Sequence, residues 1–169
     1  MIKHNGSVTT RSRHVAWDDP KVSAKAVRTM SGLAFLQAIA TGALSASPIS
    51  ASLAYKLAEV TEEQAIFTIE PAEFHYNPIG MVHGGVAATL LDSAAACAIQ
   101  STLPAGIGYT TVELHVNYVR PITAVTGLLR CIGQTIHVGR RMATAEARLI
   151  DENDKLYAHA TTTCLIFPF

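Results

Sequence analysis

Asn77-Pro-Ile-Gly-Met-Val-His-Gly-Gly85 runs directly into Val86 to Ile107, an apolar stretch whose single charged residue is Asp92. The pattern predicts a glycine-rich loop opening a helix from about Gly84 to Thr102, apolar nearly all round and therefore enclosed by other structure. Asp92 falls about two turns into that helix. Aspartate is a poor mid-helix residue, and its charge is costly to bury without a partner. No Lys or Arg lies within a turn or two of it. Burial without a partner raises a carboxyl pKa and suits a general base or nucleophile near neutral pH. A plainer reading stays open, in which Asp92 caps a neighbouring loop or reaches solvent at the helix edge.

Gly84 and Gly85 at a helix start leave N–H groups without intrahelical acceptors at the positive end of the helix dipole, with no Cβ to block a ligand. Such donors suit an oxyanion hole, and equally a tight turn. His83 takes the cap position, where it orders the loop. Asn77 has an amide to offer to a carbonyl or a water, or else serves as the turn residue before Pro78.

Spacing then decides something. Gly84 and Asp92 are eight residues apart, which on a helix is about 12 Å. An oxyanion donor and an attacking group must each lie about 3 Å from one reacting centre. If both residues are catalytic, Gly84 of one chain faces Asp92 of another. The site then requires a homodimer with two shared sites.

Outward from this helix, residues 1–20 read as a mobile leader with no apolar core of a secretory signal. Lys21 to Ala43 reads as one helix, with Val27, Met30, Leu33, Ala34 and Ala38 in a stripe of roughly 3.6-residue period. Ser52 to Thr61 and Gln64 to Pro71 read as strands joined at Glu62–Glu63. Ala65, Phe67 and Ile69 form the apolar face of the second. After the central helix come strands only: Thr110 to Arg120, Gly127 to His137, Arg141 to Ile150 and Lys155 to Phe167. The order predicts an α+β domain, one antiparallel sheet wrapped around a long central helix. The outer sheet face then needs cover, and an oligomer interface is one answer.

The chain has 169 residues, 49% hydrophobic and 15% charged, with zero formal net charge. One domain with a substantial core follows. No basic excess points to nucleic acid or an anionic membrane. The uncharged stretch Ser31 to Tyr55 is too interrupted by Gly, Ser and Pro to span a membrane. Cys97, Cys131 and Cys164 have no paired spacing, which fits a reducing cytoplasm. The seven histidines are dispersed, with no HExxH pair, so no metal is expected. No Gly-x-Ser-x-Gly elbow and no P-loop is present.

Asn77…His83-Gly84-Gly85…Asp92, followed by Thr110-Thr-Val-Glu-Leu-His-Val-Asn-Tyr-Val-Arg-Pro121, resembles the hotdog-fold acyl-CoA thioesterases of the PaaI type. The resemblance covers roughly Ala46 to Phe167 and divides the chain into a leader and N-terminal helix (1–45) and a hotdog domain (46–169). It implies a long helix wrapped by an antiparallel sheet, dimerised edge to edge and further paired as a dimer of dimers. It gives Asp92 the role of base or nucleophile on a thioester carbonyl, and Gly84 of the other subunit the role of polarising it. Asn77 would place the thioester or water. Thr111 falls where a hydroxyl contacts the water or the acid. Acyl-CoA would be the substrate, with no separate cofactor. Its phosphates need cations, for which Arg120, Arg140, Arg141 and Lys155 are candidates, with Gly85 and Gly139 giving close backbone approach.

Two other readings remain within the same fold: a thioesterase acting on an acyl-carrier protein, and a non-catalytic acyl-CoA-binding protein. A basic docking surface would mark the first, and zero net charge does not advertise one. CoA binding without turnover would mark the second. Leu53, Tyr55, Phe74, Tyr76, Ile79 and Leu91 are candidate acyl-pocket residues, and the N-terminal helix either caps that pocket or extends the dimer.

Overall fold

A computed structural model describes residues 9–169. Three short helices, α1 (Lys21–Ala26), α2 (Gly32–Ala40) and α3 (Pro48–Leu53), precede strands β1 (Tyr55–Thr61) and β2 (Gln64–Ile69). The long helix α4 (Gly84–Ser101) follows, then β3 (Ile107–Tyr118), β4 (Leu129–Val138), β5 (Met142–Ile150) and β6 (Leu156–Pro168). The six strands form one sheet in the order β1-β2-β4-β5-β6-β3, antiparallel throughout. This is the predicted architecture, with α4 lying on one face.

Side-chain alternation explains how the sheet holds the helix. In β5, Ala143, Ala145, Ala147 and Leu149 are buried, while Glu146 and Arg148 are exposed. The small inward residues let α4 approach closely. Gly133 on β4 marks the tightest contact, since a Cβ there would stand 2.1 Å from the Ala94 carbonyl oxygen. Leu90, Leu91, Ile99, Leu129 and Leu149 fill the space between the layers and are essentially inaccessible. Each such burial contributes about 1.5–3 kcal/mol. The outward positions Glu146, Arg148 and Thr161 are polar and exposed.

Two expectations about the N-terminal part need correction. Lys21 to Ala43 is not one helix. It breaks between Val27 and Ser31, where the Ser31 hydroxyl accepts the Ala34 N–H and caps a new helix. The strand predicted from Ser52 begins only at Tyr55, because Pro48 occupies the first turn of α3 and starts a helix there. Ala54, in the left-handed region at φ 53°, turns the chain from α3 into β1.

α2 crosses the C-terminal end of α4 at Gly32. Its N–H donates to Leu103 O at 2.9 Å, and a Cβ there would stand 1.6 Å from Gln100 O. Leu36 of α2 is buried within the common core. Residues 1–8 of the expected leader lie outside the described residues. The following stretch lies against the body: Arg13 donates to Ala51 O and Ser52 O, and its guanidinium sits 3.9 Å from the Phe74 ring centroid.

Candidate functional site

The loop before α4 is tied at every step. Asn77 Oδ1 accepts the N–H groups of Ile79 and Met81, which occupies the side-chain oxygen and leaves the Asn77 amide nitrogen as the outward donor. Gly80, at φ +83°, makes the reversal that these bonds close. Val82 N donates to Ile122 O, and His83 N donates to His75 O at 2.8 Å. His75 itself is buried. Its Nδ1 accepts the Ala72 N–H, so its Nε2–H donates to Leu53 O at 2.8 Å. Desolvation holds its pKa below the usual value.

His83 is the cap of α4. Its Nδ1 accepts the Gly85 N–H at 2.9 Å. That bond spends the Gly85 donor. Gly84 N–H, one position earlier, has no acceptor among the described residues. Tyr118, near the end of β3, donates its hydroxyl to Gly84 O at 3.1 Å, and its ring lies over the glycine.

Asp92 lies in a different place, two turns further along α4 and facing the start of β3. It is half-buried and has a partner: Thr111 Oγ1 donates to Asp92 Oδ1 at 2.9 Å. Of the two readings left open from the sequence, the structure favours an acid partly open at the helix edge, with the Thr111 hydroxyl on it as the family resemblance implies. The pair opens on a cavity of about 650 Å³. Tyr55, Ser93, Cys97, Tyr109 and Gln100 belong to its floor, and the N-terminal helices form its roof. Tyr55 shares a hydrogen bond with Ser93 at 3.1 Å. Burial pushes the Cys97 thiol up to about 12 and raises Tyr55 and Tyr109, so these groups stay protonated at neutral pH.

The named residues thus fall into two groups within one chain. Asn77, His83, Gly84 and Gly85 sit at the N-terminal end of α4, near Tyr118. Arg120 is at the same end and donates to Leu156 O. Asp92 and Thr111 sit with the other end of β3. Gly139, Arg140 and Arg141 share that end, since Arg141 O accepts Ile166 N, Met142 pairs with Leu165 and Leu165 with Thr110. Both Arg140 and Arg141 are exposed. Thr111 to Tyr118 is seven residues of strand, about 23 Å.

Of the six acyl-pocket candidates named from the sequence, only Tyr55 lines the cavity. Leu91 is core, Phe74 stacks beside His75, and the Tyr76 hydroxyl accepts the Ala124 N–H. Sequence reasoning missed Ser93, Cys97 and Gln100. Their signal was present as spacing: they follow Asp92 by one, five and eight residues, on one side of the helix. Among the described residues, no group of three or more His, Cys, Asp or Glu side chains is placed to hold a metal ion, and no helix is long and apolar enough to cross a membrane.

A long helix cradled by an antiparallel six-stranded sheet, with an acid and a free helix-start donor on that helix, defines a hotdog protein. The thioesterase-superfamily model matches residues 79–158, and the chain is 31% identical to a solved protein of that superfamily (TM-score 0.64), covering 79% of this chain and 97% of the other, so it belongs to the thioesterase superfamily. It is 36% identical over 84 residues to a candidate esterase of Halobacterium salinarum, a match covering 48% of this chain and 54% of that protein. The chain thus spans about half the length of that relative. Over 115 residues it is 24% identical to a 1,4-dihydroxy-2-naphthoyl-CoA hydrolase of Listeria monocytogenes, covering 68% of this chain and 92% of that enzyme. A crystal structure of a phenylacetic acid degradation-related protein of Ralstonia eutropha superposes with a TM-score of 0.69. It is 26% identical, over 77% of this chain and 98% of the other.

Proposed function

We propose that this protein is an acyl-CoA thioesterase, hydrolysing a thioester to a free acid and coenzyme A at a site shared between two subunits. The observation that carries the reading is the Thr111–Asp92 pair at the mouth of a largely apolar cavity. Thr111 fixes one carboxylate oxygen, and the second oxygen has no protein partner among the described residues, which leaves it to act on water or on the carbonyl. In the water route, Asp92 takes the water proton, the hydroxyl oxygen bonds to the carbonyl carbon, and the C–S bond breaks as the thiolate leaves and is protonated. Coenzyme A is part of the substrate, and the reading needs no resident cofactor.

The negative oxygen formed on the way needs a donor, which Gly84 of the partner subunit would supply. The sheet supports such a pairing. β3 is an edge strand of twelve residues, exposed at Thr110, Val112, Glu113, His115, Asn117 and Tyr118. A long unpaired edge is a template for another strand. An antiparallel pairing of two β3 strands that sets Tyr118 opposite Thr111 brings the Gly84 end of one subunit to the Asp92 end of the other. It also brings Arg120 of one subunit towards Arg140 and Arg141 of the other, at a mouth where coenzyme A phosphates need cations. Asn77, its oxygen engaged in the loop, would direct its amide nitrogen at the thioester or the water.

The deciding experiment is thiol release from a panel of acyl-CoA thioesters by the wild type and Asp92→Asn. The expected result is turnover by the wild type and a loss of about 100-fold or more in the variant. Equal turnover by both would remove Asp92 from the mechanism, and CoA binding without any turnover would make the protein a binding module.

A further inference from the structure

The cavity floor runs along one side of α4 from Asp92 through Ser93, Ala96 and Cys97 to Gln100. Eight residues of helix make that run about 12 Å long. Small side chains in the middle leave the space open, and an acid and an amide mark its two ends. The roof comes from the same chain, outside the part matched by the family model. Val27 at the C-terminal cap of α1, Phe35 and Ile39 of α2, and Pro48 and Ile49 of α3 cover the channel with apolar surface. The roof is secured by the Ser23 hydroxyl donating to Ser45 O at 2.9 Å and by the crossing of α2 over the end of α4 at Gly32.

Gln100 is the anomaly. It is only 4% exposed, yet its carboxamide makes no hydrogen bond among the described residues. Buried amides are ordinarily paired, and an unpaired one is a standing cost. Unlike Thr68 Oγ1, the one sealed orphan side-chain atom among the described residues, Gln100 borders open cavity. Gln100 lines the far end of the channel from Asp92, with its amide nitrogen beside Gly32 of the roof.

We propose that this channel holds the acyl group of the substrate under the N-terminal roof, and that Gln100 selects acyl groups bearing a hydroxyl or carbonyl oxygen at their far end. The inference rests on Asp92 acting at the thioester. With the reacting carbon about 3 Å from Asp92 and a hydrogen bond of about 3 Å to Gln100, the two ends of the acyl group are separated by roughly 6 Å or more. A cavity of about 650 Å³ also lies within the usual range of about 300–1,000 Å³ for pockets that enclose a whole small molecule, far more than acetyl needs.

The test compares 6-hydroxyhexanoyl-CoA with hexanoyl-CoA as substrates of the wild type, Gln100→Leu and Val27→Trp. The wild type is expected to favour the hydroxylated substrate in kcat/KM by about 10-fold or more, and Gln100→Leu to erase or invert that preference. Val27→Trp, a change at the partly exposed C-terminal cap of α1, is expected to depress both substrates by narrowing the channel. A wild type indifferent to the hydroxyl, or a preference that survives Gln100→Leu, overturns the inference while leaving the thioesterase reading intact. Calorimetric binding of 6-hydroxyhexanoate and hexanoate separates the two readings. It needs no turnover, so a preference for the hydroxy acid lost in Gln100→Leu upholds the channel even if no acyl-CoA is hydrolysed, and no binding of either acid overturns it.

Discussion

Thr111 Oγ1 stands 2.9 Å from Asp92 Oδ1 and donates its proton to it, joining the first turns of β3 to the middle of α4. The bond aims the carboxylate, and a hydrogen bond to a charged acceptor is worth about 1.5–3 kcal/mol. Thr111→Val keeps the side-chain shape and removes the donor. It is expected to lower kcat about 10-fold or more with a smaller change in KM, and Thr111→Ser to restore most of the rate. Steady-state thiol release measures both. An unchanged kcat in Thr111→Val would make the hydroxyl a bystander.

Gly84 offers a backbone donor that no side-chain substitution removes, but proline does. The first helical position tolerates proline, because its N–H has no intrahelical acceptor there. Gly84→Pro is expected to reduce kcat by about 100-fold or more, the usual cost of one oxyanion donor. Part of the effect could come from the Tyr118 ring, whose atoms lie 3.1–3.2 Å from a Cβ at this position. Gly84→Ala meets the same ring and keeps the N–H, so it is the control. If the alanine variant loses as much rate as the proline variant, the donor role fails.

The legible part of this fold was the part governed by local pattern. α4 is bounded to within a residue by the His83-Gly84-Gly85 start and its unbroken apolar run, and the four strands after it to within three residues by alternation. Asp92 stands out as the single charge of the helix and Thr111 enters through the family resemblance, and the structure brings them together. The N-terminal part was read less well. Ser31 interrupts the stripe by capping a second helix, and Pro48 opens α3 within the stretch before β1. The roof could not be seen at all, since nothing local in Val27 or Ile39 says which surface they cover. Gln100 lay in plain view on the same side of α4 as Asp92, but its missing partner is a fact of packing.

Gly133 is where sheet and helix come closest. Gly133→Ala would place a methyl 2.1–2.2 Å from the Ala94 carbonyl, a backbone obstacle that cannot rotate away. Either α4 lifts or β4 bends, at an expected cost of about 3 kcal/mol. For a domain of this size that corresponds to a fall in Tm of roughly 10 °C, readable by thermal denaturation. A variant as stable as the wild type would mean that the helix is not seated as described.

His75 links stability to pH. Its Nδ1 must stay unprotonated to accept the Ala72 N–H, and burial lowers its pKa from the ordinary 6.5. Below 6.5 the unfolded chain therefore binds a proton that the folded protein resists. The stability this site contributes is complete above pH 6.5 and declines as pH falls below it towards the lowered value. Thermal denaturation between pH 7.5 and about 5 is expected to show a falling Tm, with a shallower slope in His75→Gln. An equal slope in both would assign the effect to other groups.

A shared site makes a prediction that no single-chain site can make. Asp92→Asn and Gly84→Pro each disable one half, so each homodimer is inactive in both of its sites. A mixed dimer has one site in which both defects meet and one in which neither is present. If subunits pair at random from an equal mixture unfolded and refolded together, half the dimers are mixed and one site in two of these is intact, giving about a quarter of wild-type activity. Thiol release after co-refolding, with each variant refolded alone as the control, measures it. A mixture no more active than its components would put Gly84 and Asp92 in separate roles and remove the argument, built on about 12 Å of helix between them, that the site needs two chains.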